Sequence, residues 1–526
     1  MVKADHDAPL MDGRMAYTNY QLLNTLGLTR EGIGKLLEPS FRYLQDMLDR
    51  SPVLRYQINM TTAHATIAEQ ELPDLAKYRR DTVLDMTCRT PLFEQTEFYK
   101  SFRSDTTKYF KRRLKKGRVA VCGNYQVLFG NAYEFLLALT DESYEPTESF
   151  SLEDGQVCTT GFAHGEMVLC ARSPHITMGN LYLAKNTHQG DILTYFNLTP
   201  NIICVNAIEN NIQQRLNGCD YDSDSMLVTN DEWIVNGVVN AYDILKVPVC
   251  KAEPVGKTNY KNTPRSLAKL DQTIAKNKIG EIVNLSQFLN CLLWDALFTE
   301  QSEYKPLDIY HDICVLAVLS GMEIDKAKRL YAVDSAKVLS RLRHYRQNYK
   351  KNHGGNLPTF YKYIVGDESK DVGENTAHLD APMAFVHDAV DAFPGRAAYT
   401  RTLSLSELFE LDASDVGAND THKKQNIIKA VTEAHTKITA MQTAMKKADE
   451  DEKRILCDEA NEVYTKCLEK VSKNVTGDHI VIYDIAKNYL KTGTGDLVEC
   501  KNRITLTTKN SIYTFESINI ERKAGN

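Results

Sequence analysis

Three aspartates at alternate positions are the residues of this sequence best suited to chemistry. They are Asp220, Asp222 and Asp224, and a short apolar run at 226–228 follows them. Carboxylates this close repel one another unless a cation neutralises them, because an unpaired buried charge is costly. Oxygen ligands suit a hard divalent ion, Mg²⁺ first and Ca²⁺ second. The spacing therefore predicts a metal site in a tight loop that leads into a strand.

Two other interpretations of this loop compete with a catalytic metal site. One is an exposed polar turn, since Asp-x-Asp pairs are common. The other is an EF-hand calcium loop, which has carboxylates at its positions 1, 3 and 5 but also needs Gly at 6 and Glu at 12. This chain has Ser225 and Asp231 at those two positions. The residues therefore favour a site for a hard divalent ion.

The elements that must position the loop are short runs of β-branched, apolar and aromatic residues between 118 and 245. Gly, Asn and Asp separate these runs, a pattern typical of a compact all-β module. The runs are 119–122, 125–129, 167–170, 181–184, 202–205 and 225–228. An acidic insertion at 141–154 interrupts them and is predicted to be a solvated loop.

Helical periodicity flanks this module on both sides. It covers most of 17–110 and returns at 266–349, and 426–473 is typical of a long helical hairpin. Strand signals return at 503–508 and 511–515. We therefore divide the chain into an N-terminal helical region (1–110), an all-β domain (111–255), a helical domain with loops (256–420), a hairpin or arm (421–475) and a C-terminal β segment (476–526).

Composition describes a soluble globular chain. It has 526 residues, 43% of them hydrophobic and 25% charged, with a net charge of −6. A uniformly basic nucleic-acid coat is excluded, so phosphate binding must use local patches. The twelve cysteines are dispersed without a Cys-x-x-Cys pair, which favours a reduced, cytoplasmic protein. The most apolar stretch, 288–298, is too short to span a membrane.

The aspartate loop resembles the metal loop of double-psi β-barrel RNA polymerases. Residues 217–224 read Asn-Gly-Cys-Asp-Tyr-Asp-Ser-Asp. They are most similar to Gly-x-Asp-(Leu/Tyr)-Asp-Gly-Asp of the cellular, RNA-silencing type of RNA-dependent RNA polymerase. Multisubunit polymerases have a related Asp-Phe-Asp-Gly-Asp.

A second segment strengthens the resemblance. Arg172, Pro174 and Gly179 match the Arg-Asn-Pro-Cys-Leu-His-Pro-Gly-Asp of the silencing polymerases. Residues 125–130, Tyr-Gln-Val-Leu-Phe-Gly, resemble the second half of the hairpin that opens the family's barrel. Order and spacing agree over 118–229, and a weaker similarity continues at 283–286 and 324–328.

The resemblance implies an α+β fold, with a double-psi β-barrel core flanked by mainly helical domains and a small C-terminal β segment. It implies an RNA polymerase that transfers nucleotides from nucleoside triphosphates. Asp220, Asp222 and Asp224 would be its catalytic, metal-binding residues, with Mg²⁺ as cofactor and Mn²⁺ as the alternative ion. The partners would be a nucleic acid template and the RNA product, with an RNA template favoured over DNA and no membrane.

Basic residues are candidates for binding substrate and nucleic acid. Arg172 would contact the ribose or phosphate of the nucleotide through its planar donor fork, and Lys328 is a second substrate-binding candidate. A basic run leading into the barrel could contact a template or product backbone. It comprises Lys111, Arg112, Arg113, Lys115, Lys116 and Arg118. The alternative for each of these residues is an ordinary solvated surface position.

Three departures from the family keep other functions open. Ser223 stands where the family has glycine, so a positive φ there would be strained. Thr177 replaces a histidine. The second barrel of these polymerases, with its lysines, is not recognisable before Arg118, so it could be reduced, come from a second polypeptide, or belong to a larger chain. The alternatives are a DNA-templated polymerase of phage or bacterial type, a non-catalytic nucleic-acid-binding subunit and a calcium-binding structural protein.

Overall fold

A computed structural model gives the architecture of most of the chain. It describes residues 14–63, 83–84, 86–88, 90–239, 242, 246–253, 255, 261–274, 278–299, 304–327, 331, 333–358, 360–361, 379–395, 401–403, 421–445, 448–474, 482–485, 497–498, 503–508 and 512–516.

The chain forms two compact units, each built from two separate stretches. The first unit combines Met1–Arg42 with Tyr109–Pro394, and the second combines Tyr43–Lys108 with Gly395–Asn526. The division into five consecutive regions does not include such interleaving and stays a prediction.

The strands are β1 (Met15–Tyr17), β2 (Ala120–Phe129), β3 (Gln156–Cys158), β4 (Met167–Ala171), β5 (Leu181–Asn186), β6 (Ile202–Val205), β7 (Ser225–Thr229), β8 (Ile482–Ile485), β9 (Leu497–Val498), β10 (Arg503–Thr508) and β11 (Ile512–Glu516). The helices with described bounds are α1 (Tyr20–Thr25), α2 (Arg30–Asp49), α3 (Ser51–Ala63), α4 (Glu97–Lys115), α5 (Ala132–Thr140), α6 (Gly190–Tyr195), α7 (Ile212–Arg215), α8 (Glu232–Val239), α9 (Pro264–Ile274), α10 (Ile279–Phe298), α11 (Pro306–Ile324), α12 (Ser335–Leu342), α13 (His344–Asn352), α14 (Pro382–Ala392), α15 (Thr421–Met445) and α16 (Glu450–Asn474). Short 3₁₀ turns lie at Pro91–Gln95, Met178–Asn180 and Asp325–Ala327.

A closed β-barrel forms the centre of the first unit. Its seven-stranded sheet has the order β1-β2-β6-β3-β5-β4-β7, and β2 pairs with β7 as well. This last pairing closes a ring of six strands, and β1 extends the sheet from one end of β2. The sheet is mixed, because β2 runs parallel to β6 and antiparallel to β7.

Apolar side chains from all six barrel strands form one core. Its members include Leu128, Val157, Val168, Tyr182, Ile203 and Met226. In β4 and β7 every residue after the first is buried, so these two strands are covered on both faces. Such strands have near-continuous apolar sequences, as the run at 226–228 does. The expected α+β fold with a β-barrel core and mainly helical regions is confirmed, and the barrel has six strands.

Two short strands of the seven-stranded sheet were missing from the sequence prediction. β1 begins just before a stretch expected to be helical, and β3 follows the acidic insertion. Each has three residues, which is too short for alternation to give a signal.

The second unit contains long helices and a small sheet. α15 and α16 pack together over the stretch for which a hairpin is predicted, and Cys467 Sγ lies 3.6 Å from the carbonyl oxygen of Ala430. The sheet has the order β11-β10-β8-β9 and confirms a C-terminal β segment. Among the described helices, none combines the length and the hydropathy that crossing a membrane requires.

Candidate active site

The aspartate loop connects α7 to β7 and leaves the barrel core through a tight turn. Asn217 and Gly218 both have positive φ, +57° and +68°, and the amide of Gly218 donates to the carbonyl of Gln213 at 2.7 Å. Leu216 and Cys219 on either side of this turn are buried in the barrel. The turn thus fixes the point from which the three aspartates project.

The three aspartates converge. Asp220, Asp222 and Asp224 each offer a carboxylate oxygen, and these atoms all lie within 4.8 Å of one another. The amide of Asp220 donates to Asp224 Oδ2 at 3.0 Å, and the amide of Asp222 lies 3.4 Å from Asp220 Oδ1. Three convergent carboxylates fit a hard divalent ion such as Mg²⁺ by the chemistry of the donor set.

Two residues between the aspartates shape the loop. Ser223 has a φ of +101°, the region that favours glycine, so a residue with a side chain stores backbone strain at this position. The ring of Tyr221 packs against the barrel core and covers Gly130, the last residue of the hairpin motif. Its buried hydroxyl has no hydrogen-bond partner, and burial raises the pKa of Tyr221 well above its usual range. Tyr221 is therefore an apolar anchor for the loop.

Arg172 lies against this loop, as the two matching motifs imply. Its Nη2 is 2.8 Å from Asp224 Oδ2, and the Arg172 side chain is only 15% exposed. Its Nη1 donates to the carbonyls of Leu216 and Asn217, at 3.2 and 3.1 Å. The two motifs, 48 positions apart at Arg172 and Asp220, thus form one site.

Buried amides hold the segment that carries Arg172. Gln287 and Asn290 on α10 donate to the carbonyls of His175 and Ile176, at 2.7 and 2.8 Å. Gln21 on α1 accepts the amide of His175 at 3.1 Å. Sequence reasoning missed Gln21 and Gln287 as supports of the site. The signal that could have found the α10 pair is the presence of amide side chains in and beside the most apolar run of the chain.

Two further residues of this segment are fixed by close packing. A Cβ at position 179 would lie 2.3 Å from the carbonyl oxygen of Lys246, so Gly179 allows a close backbone approach. His175 is fully buried, and burial together with the Arg172 charge lowers its pKa to about 3. His175 is therefore a neutral packing residue at physiological pH.

The basic run lies at the end of α4 and is only partly directed to solvent. Lys111 donates to the Phe393 carbonyl at 3.0 Å. Lys115 pairs with Asp391 at 2.6 Å. The guanidinium of Arg113 lies 4.3 Å from the centre of the Tyr17 ring.

The other members of the run differ in exposure. Arg112 and Arg118 are exposed, whereas Lys116 is half-buried. Lys328, the other predicted substrate contact, lies outside the described residues.

Comparison with known proteins gives a mixed result. No protein-family model matches the chain, and no curated protein matches it. Solved structures do match. One is the RNA dependent RNA polymerase QDE-1 from Thielavia terrestris. Its TM-score is 0.43 at 13% identity, over 88% of this chain and 51% of that polymerase.

This chain therefore spans about half the length of the polymerase that it matches. At this level of similarity, the assignment of a reaction must rest on the site itself.

Proposed function

We propose that this chain carries the catalytic barrel of an RNA polymerase. The observation that carries the proposal is the convergence of Asp220, Asp222 and Asp224 in a loop at the edge of a closed barrel. The reaction is nucleotidyl transfer, in which a 3′-hydroxyl attacks the α-phosphate of a nucleoside triphosphate and pyrophosphate leaves. RNA is the favoured template, and DNA is the alternative.

The chain's own residues supply position and charge to this reaction. The three aspartates would hold Mg²⁺, or Mn²⁺ as the alternative. When bound, the ion supplies Lewis acidity and a lower pKa for the attacking hydroxyl. The anchored ring of Tyr221 and the contacts of Arg172 keep the aspartates in place before substrate arrives. Positioning of this kind carries most of the rate in phosphoryl transfer.

Basic residues outside the loop would bind the nucleic acid. Arg112 and Arg118 are the members of the basic run most exposed to a phosphate backbone. Lys328 is retained as a substrate-binding candidate. A second polypeptide supplying the other barrel belongs to the same proposal, because only one closed barrel is found in the described residues. A cytoplasmic setting, inferred from the dispersed cysteines, belongs to it as well.

The direct test is incorporation of labelled nucleotides on primed RNA and DNA templates with Mg²⁺. Wild type should extend the RNA-templated primer, and Asp222→Ala should lose roughly a hundredfold to a thousandfold in rate, on the order seen when a main electrostatic contribution is removed. Glu142→Ala is the control, because Glu142 is an exposed carboxylate on a loop. Absence of incorporation on both templates, also with a partner polypeptide present, would leave a non-catalytic nucleic-acid-binding subunit.

A further inference from the structure

Arg172 contacts both ends of the aspartate loop. Its Nη1 binds the carbonyls of Leu216 and Asn217 where the loop begins, and its Nη2 binds Asp224 where it ends. One guanidinium therefore spans the loop and accounts for three contacts. The planar fork of arginine suits this arrangement, whereas the single ammonium of lysine cannot reproduce its geometry.

The contact with Arg172 helps to fix the orientation of the Asp224 carboxylate. Asp224 Oδ2 accepts from both Arg172 and the amide of Asp220, at 2.8 and 3.0 Å. Both contacts fall on Oδ2, so they fix the plane of the Asp224 carboxylate and with it the direction of Oδ1. Holding one oxygen therefore orients the other, as hydrogen bonds to the ligands of metal sites commonly do.

The positive charge of Arg172 also acts on the three carboxylates. Three carboxylates converge at this loop, and Arg172 brings one positive charge to them from a position that is 15% exposed. At low exposure an attraction over this distance is screened less than it is in water. The guanidinium therefore lowers the cost of assembling the loop before a metal ion arrives.

The backbone that carries Arg172 is itself fixed. The carbonyls of His175 and Ile176 accept hydrogen bonds from buried amides of α10, and Asn180 Nδ2 donates to the carbonyl of Arg215 at 3.2 Å. The guanidinium is thus presented from a rigid segment.

We propose that Arg172 is a positioning residue for the metal loop, acting through Asp224, and that its principal role is not contact with the nucleotide. The proposal rests on the metal site of the proposed function and is independent of polymerisation. It predicts that metal affinity depends on the guanidinium even when nucleotide is absent.

The test is Mn²⁺ titration of the full chain, followed by the electron paramagnetic resonance signal of free Mn²⁺. Arg172→Lys should weaken Mn²⁺ binding about tenfold and Arg172→Gln by more, in line with the effect of removing a group that orients metal ligands. The matched control is Arg103→Lys. Arg103 also binds a backbone carbonyl, that of Leu48 at 2.7 Å, and its guanidinium lies 5.7 Å from the Tyr99 ring centre. Its variant should bind Mn²⁺ as wild type does.

The outcomes separate the two roles of Arg172. Unchanged Mn²⁺ affinity in Arg172→Lys, with weaker nucleotide binding, would overturn the proposal in favour of a substrate contact. Equal losses in the Arg172 and Arg103 variants would overturn it in favour of general destabilisation. Failure of wild type to bind Mn²⁺ would overturn the metal site as well, whereas wild-type binding without incorporation would overturn only the polymerase assignment.

A measurement on wild type covers the case in which the variants do not fold. Hydrogen exchange of the metal-free chain should show the Asp220 amide protected, because the loop is assembled before metal binds. Exchange of that amide at the rate of an open loop, with protection only after Mn²⁺ is added, would overturn preassembly by Arg172.

Discussion

Two clusters of like charge in the first unit have opposite relations to the rest of the chain. In the basic run, the Phe393 carbonyl accepts from Lys111 and the Asp391 carboxylate pairs with Lys115. In the acidic loop, three carboxylates converge and one guanidinium contacts Asp224. The fold thus uses much of its basic cluster for internal packing, whereas its acidic cluster brings three carboxylates together at one loop.

Glu134 is a buried carboxylate outside the aspartate loop, and it accepts hydrogen bonds from the chain itself. It is 1% exposed, and its oxygens accept from the Ser149 hydroxyl, the amides of Phe150 and Ser151, and the Ser151 hydroxyl. Burial raises the pKa of Glu134, but the hydrogen bonds from Ser151 and Phe150 outweigh it and lower the pKa overall. The Glu134 carboxylate thus meets four donors of the chain. Asp220, Asp222 and Asp224 differ in that three carboxylates converge, with oxygens within 4.8 Å of one another.

The largest expected effect comes from a substitution in the aspartate loop. Asp222→Asn should abolish the stabilisation by Mg²⁺, which for wild type is about 2.7 kcal/mol at a hundredfold excess over Kd. Its metal-free stability should be unchanged or slightly raised, because one of three repelling charges is gone. Urea unfolding with and without Mg²⁺ measures both quantities. Glu142→Gln should keep the Mg²⁺ effect, and an unaltered Mg²⁺ effect in Asp222→Asn would contradict a shared ion.

In the absence of metal, replacing Glu134 should lower the stability more than replacing Asp222 does. Glu134→Gln should lower the free energy of unfolding by about 2–3 kcal/mol. The reason is that glutamine replaces one of the two accepting oxygens with an NH2 group, which cannot accept a hydrogen bond from the buried donors. Urea unfolding at pH 7 without Mg²⁺ checks this value. A cost under 0.5 kcal/mol, on the order of an ordinary surface change, would argue against the hydrogen-bond network.

The same variant has a defined pH dependence. The folded pKa of Glu134 lies below its unfolded value, so its ionisation stabilises the fold above the unfolded pKa, near 4.3. That contribution disappears as pH falls through the folded pKa. The stability difference between wild type and Glu134→Gln should therefore be full at pH 7 and shrink below about pH 4. A difference that stays constant from pH 7 to pH 3 would exclude the ionised form as its source.

Smaller effects are expected in the basic run, and they should differ between its exposed members and those that pair within the chain. Arg118→Ala should weaken binding of single-stranded RNA roughly threefold to tenfold and reduce the salt slope by about one, because one phosphate contact is lost. Lys115→Ala should instead lower stability by under about 1 kcal/mol, since its partner Asp391 is exposed. Fluorescence anisotropy over a salt series distinguishes the two. Equal salt slopes for wild type and Arg118→Ala would remove Arg118 from the interface.

The smallest expected effect concerns the strained residue of the loop. Ser223→Gly should raise stability by about 1 kcal/mol or less, since relief of strain at φ +101° is partly offset by the greater freedom of glycine in the unfolded chain. Thermal unfolding of the metal-free protein provides the measurement. A loss of stability would mean that contacts of the Ser223 hydroxyl outweigh the strain.

Much of the site could be predicted because its signals are local. The alternate aspartates before an apolar run indicated a turn entering a strand, and β7 does begin at Ser225, one residue after Asp224. The glycine expected in place of Ser223 correctly pointed to a positive φ. The short strands β1 and β3 gave no such signal, because three residues do not establish a period.

The sequence by itself determined the types of the elements and the residues that could bind a metal, because periodicity and spacing act over a few neighbouring positions. Only the tertiary structure decided that β2 pairs with β7 to close the barrel, and that Arg172 meets Asp224. It also decided that the amides of α10 support the Arg172 segment from more than a hundred positions away. Such pairings depend on the packing of the whole unit, since a charge or an amide takes whichever partner the fold brings within hydrogen-bond distance.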